Sequence, residues 1–226
     1  MNFSERRLKA VPVLIAVNVL VFLHTMGLIH HPRFQALYAL SAWGLEAGFW
    51  WQIFTHAFLH GNLLHLLFNM MGLWFAGRIV ERVVGTWRFL GLYFAGAVAG
   101  GLFQLVFGGT APLIGASGAV FGVILAFTTL FPQAQVMAIV FILPLRLRAR
   151  TLGIGLAASS FFLMFTGLMP GIGHAAHFGG CVAGYLFARG VKRRLAAEGR
   201  SPFLSAPVHP RYPIEANPRN FPGNPG

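Results

Sequence analysis

Aspartate is absent from this chain, and glutamate occurs only five times in 226 residues. Charged residues make up 10% of the sequence, against about 25% in a typical soluble domain. There is a single cysteine, Cys181, so no disulfide can close within the chain and no cysteine-based metal site can be built. The shortage of carboxylates argues against a proton- or ion-relaying transporter or channel, which depends on acids within the membrane. It also removes the aspartate from any Ser–His–Asp arrangement.

What the chain has in abundance is apolar surface. It is 56% hydrophobic, with a mean hydropathy of +0.68. That composition implies a polytopic membrane protein, and the length suits one compact helical bundle rather than two domains. Apolar runs at about 11–29, 63–83, 89–107, 117–132, 151–168 and 175–191 predict an all-α membrane protein. Its expected form is a compact bundle of six transmembrane helices with a membrane-associated first loop. Residues 1–10 read as a cytoplasmic N-terminal segment, 11–191 as the six-span domain and 192–226 as a basic, then Pro/Asn/Gly-rich, disordered cytoplasmic tail. The basic-then-apolar N-terminus resembles a signal peptide but has no convincing small-residue cleavage site, so it is expected to be a retained first span. The first loop, 30–58, is too long and apolar for a plain connector. Its Trp43, Phe49, Trp50 and Trp51 suit an interfacial position. The run 136–143 is apolar but too short to span, and is expected at the cytoplasmic surface beside Arg146, Arg148 and Arg150.

The net charge of +12 is explained by where the cations fall. With six spans, 16 of the 17 basic residues lie on one side and only Arg33 falls elsewhere. The positive-inside rule makes that side cytoplasmic and puts both termini there. The charge is thus read as topology plus attraction to anionic lipid headgroups, not as nucleic-acid binding.

Ser117 stands in Gly115-Ala116-Ser117-Gly118, where a glycine-rich loop becomes an apolar run that stops at Pro132. A helix of that length reaches about 22 Å, short of a hydrocarbon core of about 30 Å. The serine is therefore placed below one membrane surface. Irregular backbone at that depth is tolerated only when buried in protein or lining a wet cavity. His177 opens the sixth run, which is parallel to the fourth, so the two residues share a depth. Gly118-x-x-x-Gly122 and Gly180-x-x-x-Gly184 permit close approach of those two helices. A histidine with a pKa near 6.5 can take the proton that makes a serine hydroxyl nucleophilic. His65 and Asn69 are four apart on one helix face. With the Ser117 N–H they offer donors for an oxyanion. These residues also fit other roles: Ser117 a cap or packing residue, His177 a helix–helix hydrogen bond, and His56 with His60 a metal pair, although that pair lacks the acid of a His-Glu-x-x-His site. The soluble-hydrolase elbow Gly-x-Ser-x-Gly fails, because Ala119 holds the last position and no strand precedes it.

The segment from His56 to Asn69, HAFLHGNLLHLLFN, resembles the second-span signature of the rhomboid family of intramembrane serine proteases. Gly115-Ala116-Ser117-Gly118 is similar to that family's nucleophile motif, and His177-Phe178-Gly179-Gly180 with Gly184 to its sixth-span motif. The similarity covers about 49–191, in order. It implies Ser117 as nucleophile, His177 as general base, and His65, Asn69 and the Ser117 backbone as the oxyanion site. Gly115, Gly118, Gly122, Gly180, Gly184 and Phe121 become supporting packing. It further implies cleavage of single-span membrane proteins in or near the bilayer, membrane lipids as surroundings, and no metal or cofactor. Glu81 with Gly85 matches a structural pattern at the inner end of span two. Two departures stand out. Trp51-Gln52 replaces the family's usual Trp-Arg, which puts the loop's usual anchoring in question. Phe121 replaces a tyrosine that stacks on the histidine. A silent relative that binds or escorts membrane proteins is disfavoured, because such members usually lack the serine or the histidine. A bacterial or archaeal plasma membrane is expected, with six spans and no transit peptide evident. Substrate sequence, oligomeric state and organism are not encoded in these motifs.

Overall fold

The computed structural model describes residues 8–140, 143–166, 168–169 and 171–199. The chain is mostly helical. Helix α1 (Ala10–Thr25) is followed by three short helices, α2 (Pro32–Tyr38), α3 (Ala42–Glu46) and α4 (Gln52–Thr55). Next come α5 (Leu63–Gly72), a π-helical turn (Leu73–Gly77) and α6 (Arg78–Val84), which together form one continuous rod. The rest comprises α7 (Thr86–Phe107), α8 (Ser117–Leu130), α9 (Ala149–Thr166) and α10 (His174–Ala197). Leu63–Val84, Thr86–Phe107 and Ala149–Thr166 are long and apolar enough to cross a membrane. Ala10–Thr25 and Ser117–Leu130 are shorter apolar helices. The protein is an integral membrane protein.

An antiparallel hairpin revises the all-α expectation. Strands β1 (Gln135–Val140) and β2 (Leu143–Arg148) pair with Gln135 opposite Arg148 and Val140 opposite Leu143. Residues 136–140 and 143 of the apolar run at 136–143 are therefore in its strands, and residues 141–142 lie outside the described residues. Helix α10 also continues through Ala197, past the expected end at 191 and into the segment assigned to the tail. The remainder of that tail, from residue 200, and residues 1–7 of the N-terminal segment lie outside the described residues, as do 167 and 170.

Helix α1 has no capping side chain of its own. Its first N–H groups are satisfied from another part of the chain. Lys9 and Ala10 N–H donate to Glu81 Oε1 at 2.9 and 2.8 Å, and Val11 N–H donates to Oε2 at 3.0 Å. The Thr86 hydroxyl donates to Oε1 at 3.0 Å. A carboxylate at a helix N-terminus complements both the orphan donors and the positive end of the dipole. One buried acid thus joins α1, α6 and the start of α7.

At the centre, α7, α8 and α10 meet without side chains between them. A Cβ at Gly180 would strike the Gly118 carbonyl, and one at Gly184 the Gly122 carbonyl. From the α8 side, a Cβ at Gly122 would lie 3.1 Å from the Gly180 oxygen, and one at Gly118 would lie 3.3 Å from the Gly96 oxygen. Gly100 completes the contact on α7, where a Cβ would stand 2.8 Å from the Ala176 oxygen. In a membrane, helix association rests on this kind of packing rather than on the exclusion of water.

The first loop is tied to itself and to the bundle. Buried Gln52 donates from Nε2 to the Ala36 carbonyl at 2.8 Å and accepts the Ser41 N–H on Oε1 at 3.2 Å. Trp51 Nε1–H donates to the Leu37 carbonyl at 2.7 Å, and the Thr55 hydroxyl donates to the Tyr38 carbonyl at 2.8 Å. The glutamine that departs from the usual Trp-Arg pair thus anchors this loop by its own carboxamide. Trp43, Trp50 and Trp51 of this loop are exposed.

The close contact predicts a sharp contrast within α10. Gly180→Val should lower the thermal unfolding midpoint in detergent, with a cost of about 1–3 kcal/mol from overpacking. Gly190→Val, where a Cβ meets nothing within 4 Å, should leave the midpoint unchanged. Equal midpoints for the two variants would contradict the packing described.

Candidate active site

Ser117 is the first residue of α8, and Ala116 before it supplies no side-chain cap. His177 lies in the first turn of α10. The glycine contacts bring these helix ends together, and His177 Nε2 sits 2.9 Å from Ser117 Oγ. For the hydroxyl to donate to Nε2, the imidazole is neutral with its proton on Nδ1. Phe121, one helical turn beyond the serine, lies flat against the imidazole, with ring centroids 4.1 Å apart and an interplanar angle of 11°. No aspartate exists to orient the ring, and the glutamates are at positions 5, 46, 81, 198 and 215. Stacking on Phe121, an edge-to-face contact with His174 (centroids 6.0 Å apart) and the α8–α10 contact fix the imidazole.

His65 and Asn69 come from α5. Asn62 starts that helix, its Oδ1 accepting the His65 N–H at 2.8 Å. Asn69 Nδ2 donates one hydrogen to the His65 carbonyl at 2.9 Å. An amide nitrogen has two hydrogens, so a second remains for a ligand. The Ser117 N–H, at the start of a helix, has no intrahelical acceptor. His65, Asn69, Ser117, Phe121 and His177 all line one cavity of about 650 Å³, which Gln104 also borders.

The loop ahead of Ser117 is held tightly. Gly115 has φ +122°, in the region that disfavours side chains. Its N–H donates to the His56 carbonyl at 2.8 Å. A Cβ there would stand 2.6 Å from His65 Nε2 and 3.8 Å from Ser117 Oγ. The absent side chain is what lets the His65 ring reach the serine's loop. Two residues earlier, Leu113 and Leu40 exchange N–H···O bonds of 2.8 and 3.0 Å, coupling this loop to the first loop.

His56 and His60, the possible metal pair, have separate surroundings. His56 Nδ1–H donates to the Gln52 carbonyl at 2.8 Å. His60 is fully buried and meets the His65 ring edge to face, centroids 5.0 Å apart. Burial pushes both imidazoles below the ordinary value, His60 to about 4, so both are neutral near pH 7. Among the described residues, no cluster of three or more His, Cys, Asp or Glu side chains could hold a metal ion.

Three parts of the site escaped sequence reading. Gly96 and Gly100 have the same four-residue spacing as the glycines of α8 and α10, so their signal was visible. The His56 carbonyl and the Leu40–Leu113 bridge act through backbone, which leaves no mark on residue type.

A family model described as the rhomboid domain matches residues 47–194, more than half of the chain. Rhomboid protease GluP of Bacillus subtilis is 32% identical over 146 residues, 64% of this chain and 26% of its own. Rhomboid protein 1, mitochondrial, of Saccharomyces cerevisiae is 33% identical over 169 residues, 66% of this chain and 46% of its own. Rhomboid protease GlpG of Photorhabdus laumondii is 32% identical over 144 residues, 61% of this chain and 46% of its own. The chain spans less than half the length of each of these relatives.

Gly115→Ala tests the geometry without touching a reactive atom. It should displace the loop or the His65 ring. The reaction of Ser117 with a fluorophosphonate should then slow roughly tenfold or more, as expected when a reacting group is misplaced by about 1 Å. An unchanged rate would contradict the arrangement.

Proposed function

The chain belongs to the rhomboid family, and from that premise we propose that it is an intramembrane serine endopeptidase. It cuts single-span membrane proteins in or near the bilayer through a Ser117–His177 dyad. The observation that carries the reading is the 2.9 Å contact between His177 Nε2 and Ser117 Oγ, on the wall of a cavity large enough for a peptide segment.

His177 Nε2 takes the hydroxyl proton as Ser117 Oγ attacks the scissile carbonyl carbon. The carbonyl oxygen becomes an oxyanion. The Ser117 N–H, the second Asn69 amide hydrogen and His65 stabilise it, aided by the positive end of the α8 dipole. The imidazolium then gives its proton to the leaving amine nitrogen, the C–N bond breaks, and an acyl group remains on Ser117. Water entering the cavity loses a proton to Nε2 and attacks the ester carbon; the acyl–Oγ bond then breaks, the imidazolium returns its proton to Ser117 Oγ, and the carboxylic acid product leaves. A Ser–His pair without an acid relies on fixed orientation of the ring, which stacking on Phe121 supplies.

In this reading residues 11–191 form the catalytic domain, and six helices cross the membrane: Ala10–Thr25, Leu63–Val84, Thr86–Phe107, Ser117–Leu130, Ala149–Thr166 and His174–Ala197. Both termini face the cytoplasm, as the placement of basic residues supports, and the membrane is a prokaryotic plasma membrane. At 14 residues, α8 spans only about 21 Å, which supports a serine set below the outer surface. Transmembrane proteins are the substrates and lipids the surroundings, with no cofactor, metal or nucleic acid required.

The test is cleavage of single-span substrates by the purified chain in detergent. Ser117→Ala and His177→Ala should each abolish turnover. Asn69→Ala should lower kcat by roughly 10²–10³, the usual cost of one oxyanion donor, while the thermal midpoint stays near that of the wild type. Cleavage that survives Ser117→Ala would sink the mechanism.

A further inference from the structure

A second opening lies towards the other end of α8. Helices α8, α9 and α10 leave between them a groove of about 460 Å³, with Leu125, Pro132, Ile154, Ala157, Val182 and Leu186 among its walls. It shares no lining residue with the cavity around Ser117. The groove exists because α9 touches the bundle along a narrow small-residue edge. Only Ala149, Gly153 and Ser160 of α9 are buried, and a Cβ at Gly153 would strike Thr128 Oγ1. Larger residues beside that edge stay outside, with Ile154 68% and Leu186 59% exposed.

One end of the groove differs in character. Arg150, from the first turn of α9, and Lys192, from the last turns of α10, both line it. Arg146 and Arg148 of β2 are exposed just ahead of α9 in the chain. No carboxylate lines the groove. An apolar trough between helices of a membrane protein that ends in cations matches one kind of molecule, with an acyl chain on one side and a negative headgroup on the other. Basic pockets between membrane helices recognise anionic lipid headgroups in this way.

We infer that this groove is a binding site for an anionic phospholipid. One acyl chain lies between α9 and α10, and the headgroup phosphate rests on Arg150 and Lys192. The lipid supplies α9 with the lateral packing that its few buried residues do not. The inference is independent of the serine chemistry.

The experiment uses the full chain in phosphatidylcholine vesicles doped with phosphatidylglycerol carrying a photoreactive acyl chain, followed by peptide mapping. Adducts are expected on the segments containing Ile154–Ala157 and Val182–Leu186. The double variant Arg150→Gln, Lys192→Gln should cut them roughly tenfold or more, while Arg33→Gln should not. Ala157→Phe keeps both cations but fills the trough, and should also cut them, which guards against misfolding of the charge variant. Ser117→Ala should be labelled like the wild type, so a failed protease reading leaves this result intact. Equal labelling by a phosphatidylcholine probe of the same design, or labelling that survives both groove variants, would overturn the proposal and mark an ordinary lipid annulus.

Discussion

The contact on which the site depends is the backbone-to-backbone approach of α8 and α10. Gly118 and Gly122 face Gly180 and Gly184 with no side chain between them. Helices that pack through ordinary side chains stand about 8–10 Å apart, which would separate groups carried on their facing turns. Here the absence of four Cβ atoms allows a serine on one helix to touch a histidine on the other. Gly96 and Gly100 extend the same contact to α7, so the Ser117–His177 contact rests on three helices rather than two. Because the constraint is steric, it holds the imidazole without an acid behind it, and the flat contact with Phe121 sets the ring plane.

A hydroxyl at the start of a short apolar helix in a membrane protein needs a well-supported loop ahead of it. Irregular backbone there must have its polar groups satisfied by protein or water. The chain meets this need by pairing the Ser117 loop with the first loop, through Leu40 with Leu113 and through the His56 carbonyl with the Gly115 N–H. The first loop is held in turn by Gln52, Trp51 and Thr55, whose side chains bond the carbonyls of residues 36–38. Rigidity therefore passes from the first loop into the site. At the opposite end Glu81 fixes the start of α1. Among the long helices α1, α7, α8, α9 and α10, α9 buries the smallest share of its residues, at only three positions.

Much of this was legible in the sequence because the signals were local or periodic. The short run after Ser117, the parallel run after His177 and the two glycine pairs together pointed to helix ends meeting at one depth. The i, i+4 spacing of His65 and Asn69 placed both on one side of α5. What was not legible depended on partners distant in the chain. Glu81 matched a structural pattern at the inner end of a span, but its partners, the N–H groups of Lys9, Ala10 and Val11, lie 70–72 residues away and left no mark in the sequence. Gln52 reads as a departure from a pattern, yet a carboxamide offers both a donor and an acceptor, and the loop uses both. The hairpin did leave a trace, because Leu143, Leu145 and Leu147 alternate with Pro144, Arg146 and Arg148, the period of a strand. Its apolar first half instead read as a surface segment. The π-helical turn at Leu73–Gly77 has no residue signature at all, since it is a local extra residue absorbed within a continuous apolar run.

The central claim is that one hydroxyl in this chain is activated, by one histidine. Mass-spectrometric mapping of the residue modified by a fluorophosphonate, with the full chain in lipid vesicles, tests it most directly. The account predicts a single adduct on Ser117 that disappears in His177→Ala. An adduct on another serine, such as Ser159 or Ser160, or full modification of Ser117 in His177→Ala, would contradict it.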